Sequence, residues 1–200
     1  MRAIKGPLRL AMQQSGAMYG VMKQFIYQIW AQRLCSAVMI CGTAIGSLLA
    51  LPTAQAGLIN NFGDWSAFDE AEGGNKVCYV GATPKKQRGK YKQRGETYVL
   101  VTHRPAEKTR SVVSIKAGYT YKKGTDVQVN VGSQRFTLFI DKDHAWARDS
   151  AGDRKLIAAM QSGYQMIVTG ISDRGTKTSD TYSLSGFTAA YNAINKACPK

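Results

Sequence analysis

Two hundred residues carrying 27 Lys and Arg against 13 Asp and Glu give a formal net charge of +14, an excess that attracts polyanions and anionic surfaces. Four cysteines and two histidines lack the ligand spacing of a metal site, so no metal and no other cofactor is expected. Past residue 56 the chain has the size of one domain able to bury a real core, and no internal repeat or linker suggests a second.

Residues 1–56 hold Arg2, Lys5, Arg9, Lys23 and Arg33 and no acidic residue. An uncharged, mostly apolar stretch runs from Leu34 to Leu51, followed by Pro52-Thr53-Ala54-Gln55-Ala56. Basic, then apolar, then small residues is the order of a secretory signal peptide, with cleavage after Ala56 and residues 57–200 as the mature β-rich domain. Initiation at Met18 or Met22 would shorten the long basic part without changing the mature chain. A retained membrane anchor is the alternative, since an uncharged run of roughly 18 residues is near the lower limit for spanning a bilayer. Gly42, Thr43, Gly46 and Ser47 dilute its apolarity. Cys35 and Cys41 follow the bulky Leu34 and Ile40, where lipid attachment wants a small residue.

Cleavage removes five basic residues, leaving 22 against 13 and a mature charge of +9. It also removes Cys35 and Cys41, so that Cys78 and Cys198 remain in an oxidising compartment. One disulfide is the simplest outcome; two unpaired buried thiols are the alternative. Such a bridge would tie an early strand to the C-terminus and, on the chain-entropy account, stabilise by roughly 4–5 kcal/mol.

Short runs of β-branched and aromatic residues predict strands at 77–82, 97–103, 112–117, 127–131, 136–140, 164–171 and 181–184. Val127, Val129 and Val131, then Gly132-Ser133, then Phe136, Leu138 and Ile140 form two period-2 stripes about a Gly-first turn, as a type II′ hairpin needs. A helix is expected near 151–162, capped by Ser150, with Leu156, Ile157 and Met160 on its apolar stripe before Gly163 ends it. A second is expected near 187–197, packing through Ala189, Ala190, Ala193 and Ala197. Trp65, Trp146, Phe62, Phe68 and Phe139 read as core or rim aromatics. The fold class is mainly β, a single β-sandwich-like or barrel-like domain with these two helices.

Between the first two strands lies Lys85-Lys86-Gln87-Arg88-Gly89-Lys90-Tyr91-Lys92-Gln93-Arg94-Gly95, which reads as an exposed, mobile loop. Lys85, Lys86, Arg88, Lys90, Lys92 and Arg94 form a cluster dense enough to grip phosphate, sulfate or acidic sugars, with Tyr91 placed to stack on a ring. The competing reading is that an exported basic protein simply places its charge where water solvates it. Aromatic-rich strand motifs of specific nucleic-acid modules are missing.

No constellation of catalytic residues emerges. Gly170-Ile171-Ser172-Asp173-Arg174-Gly175 delays by one residue the glycine that a nucleophile elbow needs, and it reads as a hairpin turn. His103 and His144 cannot be placed in a triad from sequence and read as surface or hydrogen-bonded histidines. Asp141, Asp143 and Asp149 lack the glycine and terminal glutamate of a calcium loop.

Gly63-Asp64-Trp65, Cys78-Tyr79, Leu100-Val101-Thr102-His103-Arg104-Pro105, the segment Ser133 to Phe139, Ala145-Trp146-Ala147 and the run from Ser172 to Tyr191 occur in one order over nearly the whole mature chain. In this the sequence resembles the invasion-associated locus B family of alphaproteobacterial envelope proteins. The resemblance implies an exported β-rich fold with the paired cysteines and a link to host-cell invasion in a pathogenic member. It supplies no enzymatic activity and no binding residue to carry over. The expected protein is periplasmic, secreted or at the cell surface of a Gram-negative bacterium, non-enzymatic, and acts by binding an anionic envelope or host polymer. Unidentified envelope proteins are expected as further partners, specific nucleic acid is not, and charge or an uncleaved signal would allow membrane association. The rivals are a structural or chaperone-like subunit of an envelope assembly, and a hydrolase built around His103 or His144.

Overall fold

The computed structural model describes residues 57–199, so the expectations for the signal segment, its start and its cysteines lie outside the described residues. Eleven strands run in chain order as β1 Gly57–Phe62, β2 Trp65–Glu72, β3 Asn75–Ala82, β4 Lys86–Gly89, β5 Tyr98–Arg104, β6 Thr109–Lys116, β7 Val127–Val131, β8 Gln134–Asp141, β9 His144–Trp146, β10 Gln165–Ile171 and β11 Lys177–Ser183. Helix α1, Ser150–Ser162, precedes β10, and α2, Phe187–Ala197, follows β11. The protein is mainly β, as its strand-rich pattern requires.

All eleven strands join one antiparallel sheet in the order β1-β2-β3-β5-β6-β9-β8-β7-β10-β11-β4. The two layers of the expected sandwich are therefore halves of a continuous sheet. Strand β8 makes the corner: Gln134–Leu138 pair with β7 and Phe139–Asp141 pair with β9. Its hairpin with β7 has the expected two-residue turn, with Val131 opposite Gln134 and only Gly132 at positive φ, +57°. A first central position in that region is what a type II′ turn assigns to glycine.

The halves share one apolar core, to which Trp65, Val80, Val101 and Ile115 come from one side and Val129, Met166, Val168 and Tyr182 from the other. Strands β7, β10 and β11 alternate buried and less buried residues, as half-buried strands should. The far ends of the sheet also meet, where the indole Nε1 of Trp65 donates to the Ser183 carbonyl at 3.0 Å and the Asp64 N–H to the Ser185 carbonyl at 3.1 Å.

Four strands escape the sequence pattern. In β2, Ser66, Asp69, Glu70 and Glu72 hide the buried Trp65 and Ala67; β1 and β4 are edge strands with little burial, and β9 has only 3 residues. Strand β11 starts at Lys177, earlier than 181, because its inward residues Thr178 and Asp180 are polar.

Both helices form where apolar spacing places them, with two corrections. The side chain of Asp149, not Ser150, caps α1 by accepting the Gly152 N–H at 2.7 Å. Helix α2 buries Phe187, Ala190 and Ile194, a 3-then-4 stripe, while Ala189 faces solvent. Large residues win that face because Phe187 meets Trp65 edge-on, with ring centroids 4.7 Å apart. The stripe continues to Cys198, which is bonded to Cys78 of β3 with Cα atoms 6.1 Å apart, within the span that disulfides adopt. Arg110 adds a clamp by donating to the Cys198 carbonyl at 2.6 Å and to the Asn195 side chain at 3.2 Å.

Within α1, Asp153 is buried and its Oδ1 accepts the Val113 N–H of β6 at 2.9 Å. Burial raises its pKa to about 6, with Asp149 adding to the shift and the Val113 N–H and Arg154 opposing it. A carboxyl with a raised folded-state pKa holds its proton more tightly when folded, so its contribution is greatest below about pH 4 and is lost as pH rises through about 6. Asp153→Asn keeps the acceptor and should reduce the gain in unfolding free energy on acidification from pH 7 to pH 5. Asp153→Ala should cost about 1–3 kcal/mol by orphaning the Val113 N–H. Denaturation curves at both pH values check this, and an unchanged pH slope in the Asn variant would contradict it. Replacing Cys78 and Cys198 with Ser should cost about 2–5 kcal/mol; a denaturation midpoint equal to that of the parent would show that the bridge does not secure α2.

Candidate functional site

The basic segment is ordered by two anchors, not carried as a free loop. Lys86–Gly89 pairs with β11, Lys86 opposite Thr181 and Arg88 opposite Ser179. The Lys85 N–H donates to the Thr181 carbonyl at 2.7 Å, and its Nζ lies 2.5 Å from Asp64 Oδ1. The ammonium of Lys85, followed by the Ser183 hydrogen bond, holds the Asp64 carboxyl below its ordinary range.

The second anchor is Arg94, and it corrects the expectation of an exposed polyanion contact at this residue. Its side chain is only 4 % exposed, as is that of Asp180. Both guanidinium terminal nitrogens donate to the two Asp180 oxygens at 2.6 Å, while Nε donates to the Ala117 carbonyl at 2.6 Å. Its guanidinium carbon lies 5.5 Å from the ring centroid of Tyr91 and 5.0 Å from that of Tyr119, within reach of cation–π attraction. Burial works against the charge on Arg94, but the bidentate Asp180 carboxylate outweighs it and the pKa is raised. A mobile loop would leave such a pair exchanging with water; this one fixes the path of the chain between β4 and β5.

Neighbouring backbone closes the same region. The Gly95 N–H donates to the Gly118 carbonyl at 2.9 Å, and Gly118 sits at φ +72° with the place of a Cβ only 2.4 Å from the Gly95 carbonyl oxygen. No L side chain fits there. Beyond it, Tyr119 shares a 2.6 Å hydrogen bond with Thr178 Oγ1. The β10–β11 turn is the turn expected at Ser172 to Gly175, closed by Ser172 N–H to the Thr176 carbonyl at 2.9 Å and by Thr176 N–H to Ser172 Oγ at 3.1 Å.

Together these pieces enclose a cleft of about 750 Å³, in the size range of small-molecule sites. Lys90, Tyr91, Lys92 and Arg94 form one wall, Tyr119 and Thr120 the back, and Ser172, Asp173, Arg174, Thr176 and Thr178 the other wall. Lys90, Lys92 and Arg174 are exposed and Tyr91 is half-buried. Lys86 and Arg88 lie outside the cleft on the edge strand β4, and Lys86, Arg88, Lys90 and Lys92 form no ion pair among the described residues.

Neither histidine reaches the cleft. His103 is buried beside α2, where Nδ1 accepts the Ser111 N–H and Nε2 lies 3.0 Å from Asn195 Oδ1. That arrangement fixes the Nε2–H tautomer, and burial lowers the pKa. Ser111 Oγ turns away to Tyr191 at 2.6 Å. His144 Nδ1 pairs with Asp143 at 2.8 Å, so both are hydrogen-bonded histidines, and buried ones. Among the described residues no group of three or more His, Cys, Asp or Glu is arranged to hold a metal.

Lys90, Tyr91, Lys92 and Arg94 of the lining belong to the basic cluster visible in the sequence, whereas Tyr119, Thr120, Arg174, Thr176 and Thr178 carry no local motif. The available signal was the polar pair Thr178 and Asp180 at period 2 in β11, whose inward face should have been apolar.

A family model described as Invasion associated locus B (IalB) protein matches residues 65–195. No curated protein and no solved structure matches the chain.

Arg94→Ala should cost about 3–5 kcal/mol by leaving Asp180 buried and unpaired, with part of the loss recovered in Arg94→Ala/Asp180→Ala. Lys90→Ala and Lys92→Ala should stay within about 0.5 kcal/mol of the parent. A double-mutant cycle by urea denaturation measures the coupling, and an Arg94 variant as mild as the lysine ones would remove its anchoring role.

Proposed function

The chain belongs to the invasion-associated locus B family, and we propose that it is an exported, non-enzymatic protein of the bacterial envelope that binds an anionic polymer through the segment from Lys86 to Lys92 and the adjoining cleft, Lys85 being taken by Asp64. The observation that carries this reading is the placement of the cations. Lysine on an edge strand also discourages pairing with another sheet, which accounts for Lys86 and Arg88. It does not account for Lys90 and Lys92, which follow the strand, or for Arg174 in the β10–β11 turn, all of which line the cleft. Cations with no acidic partner, held on anchored backbone, favour an external anion at little ordering cost.

The disulfide between Cys78 and Cys198 fits an oxidising, extracytoplasmic compartment. It supports the periplasm or cell surface of a Gram-negative bacterium as the proposed location, and a surface site would let the same cations meet host polymers. A hydrolase draws no support from the cleft, whose lining holds Asp173 as its one carboxylate and no histidine. The subunit reading has one observation in its favour, the exposed Leu58 and Ile59 on edge strand β1.

Binding to dextran sulfate measures the central expectation. Affinity should fall on the order of a hundredfold between about 50 and about 200 mM salt, as for some four cation contacts. Lys86→Ser/Arg88→Ser/Lys90→Ser/Lys92→Ser should flatten that dependence. Salt-insensitive binding, or a quadruple variant that binds like the parent, would reject the reading.

A further inference from the structure

Resting on that reading, we infer that the cleft between Tyr91 and Arg174 is a subsite for a short stretch of acidic glycan, a sugar chain bearing carboxylates, and not for a bare polyphosphate or a lipid chain. Three features of the lining separate these ligands.

The lining offers hydroxyls. Tyr119, Thr120, Ser172, Thr176 and Thr178 all line the cleft; Tyr119 and Thr178 bond each other and Ser172 Oγ accepts the Thr176 N–H, which leaves the Thr120 and Thr176 hydroxyls to donate and accept toward a ligand. A sugar ring presents the same dual chemistry around its edge, whereas polyphosphate presents acceptors alone and needs no such surface. The charge of Arg94 is already balanced, because its guanidinium donates to both oxygens of Asp180 at 2.6 Å. Net positive charge is therefore left to the rim, with Lys90 and Lys92 on one wall and Arg174 on the other. Carboxylates spaced along a glycan would meet these groups in turn while the rings lie between the walls.

Aromatic and apolar surface discriminates further. No Leu, Ile, Val, Met or Phe lines the cleft, so its apolar surface is that of tyrosine rings and the stems of polar side chains, which gives an acyl chain no aliphatic pocket to enter. Arg94 lies against the rings of both Tyr91 and Tyr119, so Tyr91 is left as one isolated platform, enough for the C–H face of a single sugar ring but not the series of stacking surfaces that successive nucleobases use. Asp173, the lone acid in the lining, is engaged by the turn, its Oδ1 accepting the Arg174 N–H at 2.9 Å.

The test titrates the purified protein with oligogalacturonate, with neutral malto-oligosaccharide and with polyphosphate at one fixed salt concentration. Oligogalacturonate is expected to bind more tightly than polyphosphate of equal charge, and the neutral sugar weakly. Arg174→Ser should weaken oligogalacturonate about tenfold, the value of one hydrogen bond to a charged group. Thr120→Val/Thr176→Val should weaken it severalfold and leave polyphosphate unchanged, a split that a misfolded variant would not show. Polyphosphate binding as tightly as oligogalacturonate, or cleft variants within twofold of the parent for both ligands, overturns the glycan subsite while the polyanion reading stands. Binding of neither anion overturns both.

Discussion

A guanidinium and a carboxylate removed from water together form a strong constraint only when their geometry is complete, because each alone carries a desolvation penalty of several kcal/mol. Arg94 and Asp180 meet that condition: two parallel 2.6 Å hydrogen bonds join them, a third ties Arg94 to the Ala117 carbonyl, and two tyrosine rings flank the charge. The pair links the β4–β5 connection to β11 across 86 positions of sequence. Everything in the cleft hangs from it. The lysine wall is placed by Arg94, the opposite wall is carried by the strand that bears Asp180, and Tyr119 is held between them by Thr178.

The disulfide performs a similar service in the other half of the sheet, where it ties α2 to β3. Helix α2 is the last element of the chain, and a terminal helix frays unless it is tied down. Cys198, the Arg110 clamp and the Trp65–Phe187 contact fix it over β1 to β3. Each half of the bent sheet thus has its own long-range fastening, a covalent one under α2 and an ionic one under the cleft, while the apolar core runs between them.

What could be read from the sequence followed a simple rule, that apolar residues point inward at the period of the element. The rule serves for β7, β8 and β10 and for the Leu156–Ile157–Met160 stripe of α1. It fails where burial is polar. Arg94 sits among lysines that are all exposed, and nothing local marks it as the one that turns inward; Asp180 sits among Ser and Thr and resembles a turn. Both become legible only when β11 is laid beside β4, a non-local pairing. Strand β2 fails for a related reason, since its outer residues are acidic and mask the buried Trp65 and Ala67. Of the α2 alanines, Ala190, Ala193 and Ala197 do pack on the core while Ala189 faces solvent, and the alanine pattern alone hides that Phe187 and Ile194, with more apolar area to bury, share the inner face.

An acidic polymer seated in the cleft beside Arg94 and Asp180 would perturb the amides that line it. Amide chemical-shift mapping of the isotope-labelled protein on addition of oligogalacturonate tests this residue by residue. The largest changes are expected on Lys90 to Gly95, Tyr119 and Thr120, and Ser172 to Thr176, with β1 and α2 unmoved. Changes centred on Leu58 and Ile59 of β1, or spread evenly over the surface lysines, would contradict it.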